Sequence, residues 1–217
     1  MRKLLLFCVS FFMLLFGLTE CTKDSNESII LLGTEYYVTP LEEIVPDSLW
    51  SKLSTMYNGF NEGFIPPNIE GEYLINKKYC TSNFVDLSDD QNLHIKITDQ
   101  HNRVASVVFY EGGIVRTDTA FVMGTGSDFT LYFVEEREMS FMGSHSLVTR
   151  CVFFTGKKEE MGVKDLYYGN VILLATRGDN PFLGSFMPGW YFVYKDEDGV
   201  SENSDWFGQN GKGSEHE

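Results

Sequence analysis

The sequence is short of positive charge, and this shortage excludes two kinds of partner. Its 217 residues include 17 lysine and arginine residues against 31 aspartate and glutamate residues, so the formal net charge is −14. A surface with this excess of negative charge repels nucleic-acid phosphates and anionic membrane surfaces. We therefore expect no nucleic-acid partner and no electrostatic attraction to lipid head groups.

Histidine is also scarce, and the few histidines indicate neither a metal site nor a catalytic site. They are His94, His101, His145 and His216, and none has a second histidine or a cysteine at the spacing of metal ligands. A glycine-rich loop of the phosphate-binding type is missing too. Asp196 and Asp198 offer the oxygen ligands that calcium prefers, but an Asp-Gly pair is ordinary turn sequence. We expect no cofactor and no catalytic residues, with Asp196 and Asp198 as weak metal candidates.

Cysteine is limited to four residues, of which Cys80 and Cys151 lie outside the N-terminal region. In an exported protein these two can form a disulfide, which would close a loop of about 70 residues and stabilise the fold by roughly 4 kcal/mol. The alternative is that both are small apolar residues at separate places in the sheet. We favour the unpaired state.

The N-terminus does contain a short basic region followed by an apolar run. Arg2 and Lys3 precede the apolar residues 4–18, which are too few for a good transmembrane helix. The next residues, Leu18-Thr19-Glu20-Cys21, resemble the lipobox of bacterial lipoproteins, which implies a lipid on Cys21. An uncleaved N-terminal anchor is the alternative. We predict a signal peptide over 1–20, a flexible polar tether over 21–35, and an outer-membrane lipoprotein that faces the periplasm or the cell surface.

One helix is predicted in the N-terminal helical segment, residues 36–65. Leu49, Leu53 and Met56 recur at the spacing of one helical face. A barrel of eight strands has two open ends, and an apolar end left in water would expose a large patch. We therefore expect the apolar stripe of this helix to cover one end of the barrel.

Between residues 66 and 205 apolar and polar residues alternate, as in strands with one buried face. Turns rich in glycine and aspartate separate eight such runs, beginning at Gly71. Eight strands are enough for an antiparallel sheet to close on itself. The predicted fold class is all-β and mainly antiparallel, an eight-stranded up-and-down barrel with one N-terminal capping helix. A β-sandwich is the alternative, and residues 206–217 are predicted to be a disordered tail.

Several stretches resemble the lipocalin-like, calycin-type lipoproteins of Bacteroidetes. One is "PPNIEGEYLI", from Pro66 to Ile75, and another is "GWYFVYKDEDGVSE" near the C-terminus. Gly71-x-Tyr73 stands where calycins place Gly-x-Trp at the start of the first strand, and the last strand has no arginine to stack on the aromatic ring. The resemblance implies the barrel fold and a place in the cell envelope. Most of these lipoproteins have no known activity.

Aromatic residues are abundant, and six phenylalanines are candidates to line the barrel interior. They are Phe109, Phe121, Phe129, Phe133, Phe153 and Phe192. They either line a cavity for an apolar ligand or, as we favour, fill the barrel completely. The leading hypothesis is a non-catalytic binding module for a small apolar ligand or a protein partner. One alternative is a purely structural envelope protein. Another is a hydrolytic enzyme, recognisable by two inward-facing carboxylates about 5 to 9 Å apart.

Overall fold

A computed structural model describes most of the chain between Glu27 and Phe207. The described residues are 27–31, 34–38, 40–56, 60–82, 92–111, 114–141, 143–176, 186–197, 200–202, 204 and 206–207. The predictions for the signal peptide and for Cys21 fall outside these ranges. Within them, no helix has both the length and the apolar character needed to cross a membrane.

Strands dominate the described ranges. β1 (Glu27–Leu31) and β2 (Thr34–Val38) form an antiparallel hairpin and are followed by the helices α1 (Leu41–Ile44) and α2 (Asp47–Met56). The later strands are β3 (Phe64–Ile65), β4 (Gly71–Ile75), β5 (Lys77–Ser82), β6 (Leu93–His101), β7 (Val104–Glu111), β8 (Ile114–Thr125), β9 (Asp128–Phe141), β10 (Ser144–Glu159), β11 (Gly162–Ala175), β12 (Tyr191–Asp196) and β13 (Val200–Glu202).

The hairpin of β1 and β2 corrects the predicted tether over residues 21–35. Residues 27–31 pair with residues 34–38 in a regular antiparallel register, so the second half of the predicted tether has secondary structure. The β-branched and aromatic residues of this stretch, among them Ile29, Ile30 and Tyr36, favour strands. Residues 21–26 lie outside the described ranges.

The main sheet closes through a single bent segment of chain. The strands of this sheet lie in the order β4-β6-β7-β8-β9-β10-β11-β12-β5, and each pairs with the next in antiparallel orientation. β4 and β5 stand at opposite ends of this order, yet only Asn76 separates them in sequence. Residues 71–75 pair with β6 and residues 77–82 pair with β12. With β4 and β5 counted as one strand, the wall has the eight strands predicted, and the all-β barrel is confirmed.

The buried carboxylate of Asp196 fixes the junction between β4 and β5. Its Oδ1 accepts a hydrogen bond from the backbone N–H of Asn76 (2.8 Å), and its Oδ2 accepts one from the Ser201 hydroxyl (3.0 Å). The structure thus gives this weak metal candidate a place in the closure of the barrel. Asp198 lies outside the described residues, and within the described ranges no group of three or more potential metal ligands occurs.

Both faces of the curved wall bury apolar side chains. The concave face holds the main core, which draws residues from all eight strands of the wall; examples are Tyr73, Ile95, Val107, Val122, Leu131, Phe154, Tyr168 and Tyr194. A second cluster lies on the outer face of β8 to β12 and includes Met123, Tyr132, Cys151, Phe153, Val171, Tyr191 and Val193. This outer cluster has to be covered, because an apolar surface of its size is unfavourable in water.

Helix α2 covers the outer cluster, which corrects its predicted position over an open end. Leu53 is fully buried in the outer cluster. Trp50 stacks on Phe60 with 4.8 Å between the ring centroids, and Phe60 meets Phe153 edge to face at 5.1 Å. The long strands are apolar on both faces, so the apolar stripe of the helix finds its partner on the outer wall. Gly169 permits this packing, since a Cβ there would lie 2.5 Å from the ring of Phe153.

Tyr73 closes one end of the barrel together with a lysine from β10. The Lys158 ammonium lies 5.0 Å from the centroid of the Tyr73 ring and donates to its hydroxyl oxygen (2.9 Å). The Tyr73 hydroxyl donates to the carbonyl of Ile69 (3.0 Å). Burial raises the pKa of Tyr73 to about 12. Gly71 has a φ of +152°, and a Cβ there would lie 2.8 Å from the Tyr73 hydroxyl, so glycine is required.

Trp206 and Phe207 correct the predicted disordered tail over residues 206–217. The ring of Trp206 lies 4.5 Å from that of His94 and 4.5 Å from that of Tyr110, on the outer face of β6 and β7. The backbone N–H of Phe207 donates to the carboxylate of Glu72 (3.1 Å). The area that these aromatic side chains bury offsets the cost of ordering the segment. Residues 208–217 lie outside the described ranges.

Candidate functional site

The structure divides the six candidate phenylalanines between the two faces of the wall. Phe109, Phe129 and Phe133 are buried in the main core, and the partly buried Phe192 packs against it. Phe121 and Phe153 belong to the outer cluster under α2 and do not face the interior. The main core is otherwise a dense set of aliphatic and aromatic side chains.

Polar side chains interrupt the inner face of four consecutive strands, β8 to β11. We call this group the polar layer; its members are Arg116, Asp118, Glu135, Arg150 and Asn170. On each strand they continue the row of alternate residues that belongs to the main core elsewhere on the same strand. Examples of that row are Ala120 and Val122 on β8 and Leu131 and Phe133 on β9. They therefore face the interior of the barrel.

The polar layer lies between two apolar clusters. On β10, Arg150 stands between Val148 and Val152, and on β11, Asn170 stands between Tyr168 and Ile172. Val152 and Tyr168 belong to the main core, whereas Val148 and Ile172 form a separate cluster with the buried Phe186. Polar groups in this position are removed from water, so their hydrogen bonds and charges have to be satisfied within the barrel.

Glu135 is shared by two arginines at the centre of the layer. Its Oε1 accepts a hydrogen bond from Nε of Arg150 (2.5 Å) and one from Nη1 of Arg116 (3.0 Å), and Nη2 of Arg150 also contacts it. The side chains of Arg150 and Glu135 are 2 % and 10 % exposed. Ion pairs at this depth are close to neutral for stability but costly to break.

Arg116 also joins the polar layer to the aromatic core beneath it. Its guanidinium carbon lies 4.1 Å from the centroid of the Phe109 ring, which is a cation–π contact. The Phe109 ring in turn lies 5.6 Å from that of Phe133. A molecule that reaches the guanidinium groups therefore meets an aromatic surface at the same place.

The side-chain amide of Asn170 is completely buried and finds no hydrogen-bond partner in the described part of the chain. Both Oδ1 and Nδ2 lack a partner among the residues that the structure describes, and the exposure of the residue is 0 %. In the sheet it lies between Val152 of β10 and Phe192 of β12. An unsatisfied buried amide costs about 1 to 3 kcal/mol for each polar group and is rare in folded proteins. Such a group is a place where an ordered water molecule or a ligand can form hydrogen bonds.

Asp118 provides the second carboxyl group of the layer. Burial is the main cause that raises its pKa, and the negative charge of Glu135 raises it further. Asp118 and Glu135 are two inward-facing carboxyl groups on neighbouring strands, which is the first part of the criterion set for the enzyme hypothesis. Glu135, however, already accepts hydrogen bonds from two guanidinium groups.

Strands β8 and β9, as far as the structure describes them, do not pair with each other beside the polar layer. β8 and β9 pair only between residues 121–125 and 128–132, although the structure describes β8 from Ile114 and β9 as far as Phe141. Arg116 and Asp118 lie on the part of β8 that pairs with β7 but not with β9, and Glu135 lies on the part of β9 that pairs with β10 but not with β8. The ion pair of Arg116 with Glu135 joins the two strands here.

Cys151 is a free thiol in the outer cluster. Its complete burial raises its pKa to about 12, so it carries no thiolate at neutral pH and is not a nucleophile. The side chain of Cys80 lies outside what the structure describes.

Sequence reasoning missed the polar layer, although a signal was present. In "VTRCVFF" a single arginine replaces an apolar residue on the inner row of β10, and Glu135 and Asn170 do the same on β9 and β11. A search for charged or amide side chains at inward positions of neighbouring strands would have identified the polar layer. Comparisons with protein-family models, with curated proteins and with solved structures found no match. The chemistry of the site therefore has to be inferred from its own geometry.

Proposed function

We propose that this protein is a non-catalytic binding module of the cell envelope that takes a small apolar ligand into its barrel at the polar layer. The observation that carries the proposal is Asn170, a completely buried amide beside aromatic side chains that has no hydrogen-bond partner among the described residues. Binding sites for small molecules combine an apolar lining with a few converging polar groups, as this layer does. The ligand would enter between β8 and β9, which do not pair with each other beside the polar layer.

The proposed location rests on the N-terminal sequence. The basic start, the apolar run and Cys21 are typical of a bacterial lipoprotein, so the barrel would be held at the outer membrane by a lipid. Substitution Cys21→Ser should release the protein from the membrane fraction. Retention of the variant in that fraction would mean that the uncleaved apolar segment is the anchor.

Native mass spectrometry of the purified full chain tests the proposed binding. We expect a species heavier than the chain by the mass of one small molecule, which denaturation removes. A spectrum with the mass of the chain alone, together with only ordered water beside Asn170 in an experimental structure, would contradict the proposal. The matched variant Asn170→Leu should lose the added mass, since it fills the space with an apolar side chain.

A hydrolytic enzyme is the second candidate, and the pair of Asp118 and Glu135 favours it. Two inward-facing carboxyl groups on neighbouring strands resemble the carboxyl pairs of glycoside hydrolases. Hydrolysis of a glycoside by the purified chain that is abolished by Asp118→Asn would support the enzyme. Binding of a ligand without turnover, in both forms of the protein, would support the binding module.

A further inference from the structure

We propose that a C-terminal clasp closes on the outer face of the barrel while His94 is neutral and is released when His94 takes up a proton. The clasp consists of Ser204, Trp206 and Phe207. It lies on the outer face of β4, β6 and β7, whereas the polar layer lies on the inner face of β8 to β11. The inference is therefore independent of the proposed ligand.

The clasp is attached to the wall through Glu72 and His94. The backbone N–H of Phe207 donates to the carboxylate of Glu72 (3.1 Å), and the backbone N–H of Ser204 donates to the carbonyl oxygen of Glu72 (2.7 Å). The indole of Trp206 stacks on the imidazole of His94 with 4.5 Å between the centroids and 26° between the planes. A short segment held in this way opens at a lower free energy than the strands of a barrel wall.

His94 is the member of this contact whose charge can change near neutral pH. Its Nδ1 is buried and finds no hydrogen-bond partner among the residues that the structure describes. A neutral imidazole leaves one ring nitrogen without a proton, so this arrangement is compatible with the neutral form. A protonated ring carries an N–H group at both nitrogens. Its Nδ1 would then be a charged donor without an acceptor beneath the clasp, which is unfavourable.

The groups around His94 do not offer an acceptor to this nitrogen. Leu74 of β4 and the titratable Tyr110 of β7 lie directly opposite His94 in the sheet. The charged side chains next to them on the same face are Glu72 of β4 and Lys96 of β6, which form an ion pair with each other (2.7 Å). The carboxylate of Glu72 thus already accepts hydrogen bonds from Lys96 and from the clasp. In agreement with this geometry, burial lowers the pKa of His94.

The lowered pKa fixes the direction of the pH dependence. Histidine has an ordinary pKa of about 6.5. The closed clasp holds the proton of His94 less tightly than the open chain does. The stability that the closed clasp contributes is therefore fully present above about pH 6.5 and is lost as the pH falls through the lower pKa of the closed form. Release in mildly acidic solution exposes the rings of His94 and Tyr110 to water.

Hydrogen exchange of the purified full chain, followed by NMR, tests the inference at the backbone N–H of Phe207. After correction for the intrinsic effect of pH, we expect severalfold faster exchange at about pH 5.5 than at about pH 7.5. His94→Phe keeps an aromatic ring that cannot be protonated, so its corrected rates should be equal at both pH values. His101→Phe is the matched control, because His101 is exposed at the end of β6 and its substitution should leave the pH dependence unchanged.

Two results would overturn the inference. One is an equal corrected exchange rate of Phe207 at both pH values in the parent protein. The other is a His94→Phe variant that loses protection in acid as the parent does. If His94→Phe fails to fold, an NMR titration of His94 serves instead, in the parent and in Trp206→Leu. The pKa of His94 should rise towards its ordinary value in Trp206→Leu, and an unchanged pKa would also overturn the inference.

Discussion

The docking of α2 on the outer wall predicts a large effect of the substitution Leu53→Ala. Leu53 is completely buried in the outer cluster. The carbon atoms lost account for about 2 kcal/mol of transfer free energy, at about 0.8 kcal/mol for each methylene group. The neighbours Tyr132 and Phe153 belong to a closed sheet and cannot move in to fill the space. The cavity therefore adds to the cost, and we expect the free energy of unfolding to fall by about 3 kcal/mol.

Urea denaturation followed by tryptophan fluorescence measures this change, because Trp50 lies on the same helix. At about 2 kcal/mol per M of urea, the midpoint should fall by roughly 1.5 M. Ser51→Ala is the matched control, since Ser51 is exposed on α2 and its substitution should change the free energy by less than about 0.5 kcal/mol. Equal midpoints for the two variants would refute the docking of the helix on the wall.

Three further predictions concern buried ionisable groups. Glu135→Gln leaves two guanidinium groups without this carboxylate and should lower the free energy of unfolding by about 3 to 5 kcal/mol in denaturation experiments. Glu136→Gln, on the exposed face of β9, should lower it little. Equal losses for the two variants would contradict the ion-pair geometry. Cys151 should resist alkylation by iodoacetamide at pH 8 in the native protein and react after unfolding, as mass spectrometry of its peptide would show; rapid native labelling would contradict its burial. The raised pKa of Asp118 means that the folded state holds the proton of this carboxyl group more tightly than the unfolded state does. The contribution of Asp118 to the stability of the fold is therefore present below about pH 4 and is lost as the pH rises. Asp118→Asn should therefore be more stable than the parent at pH 7 and no more stable at pH 3, and a constant difference would contradict this.

The strands of the barrel could be predicted because alternation in sequence maps directly onto the two faces of a strand. All eight runs correspond to strands of the wall, from Gly71 in β4 to Tyr194 in β12. The closure could not be predicted, since it depends on a bend at Asn76 and on a hydrogen bond from Asn76 to Asp196. The two residues are distant in sequence, and no periodic pattern links them.

The division between inside and outside was the part that alternation alone could not determine. β8 to β12 are apolar on both faces, so Phe121 and Phe153 have the same sequence signature as Phe109 and Phe133. Only the position of α2 distinguishes the outer row from the inner one. The same ambiguity placed the helix over an end of the barrel and hid the polar layer, whose members look like surface residues in a sequence with many charges.

An experimental structure of the purified full chain tests the central claim most directly. If the barrel takes a small molecule at the polar layer, density for an organic molecule should lie within hydrogen-bond distance of the Asn170 amide. Density that fits ordered water alone, or a packed layer with no added density, would contradict the binding module.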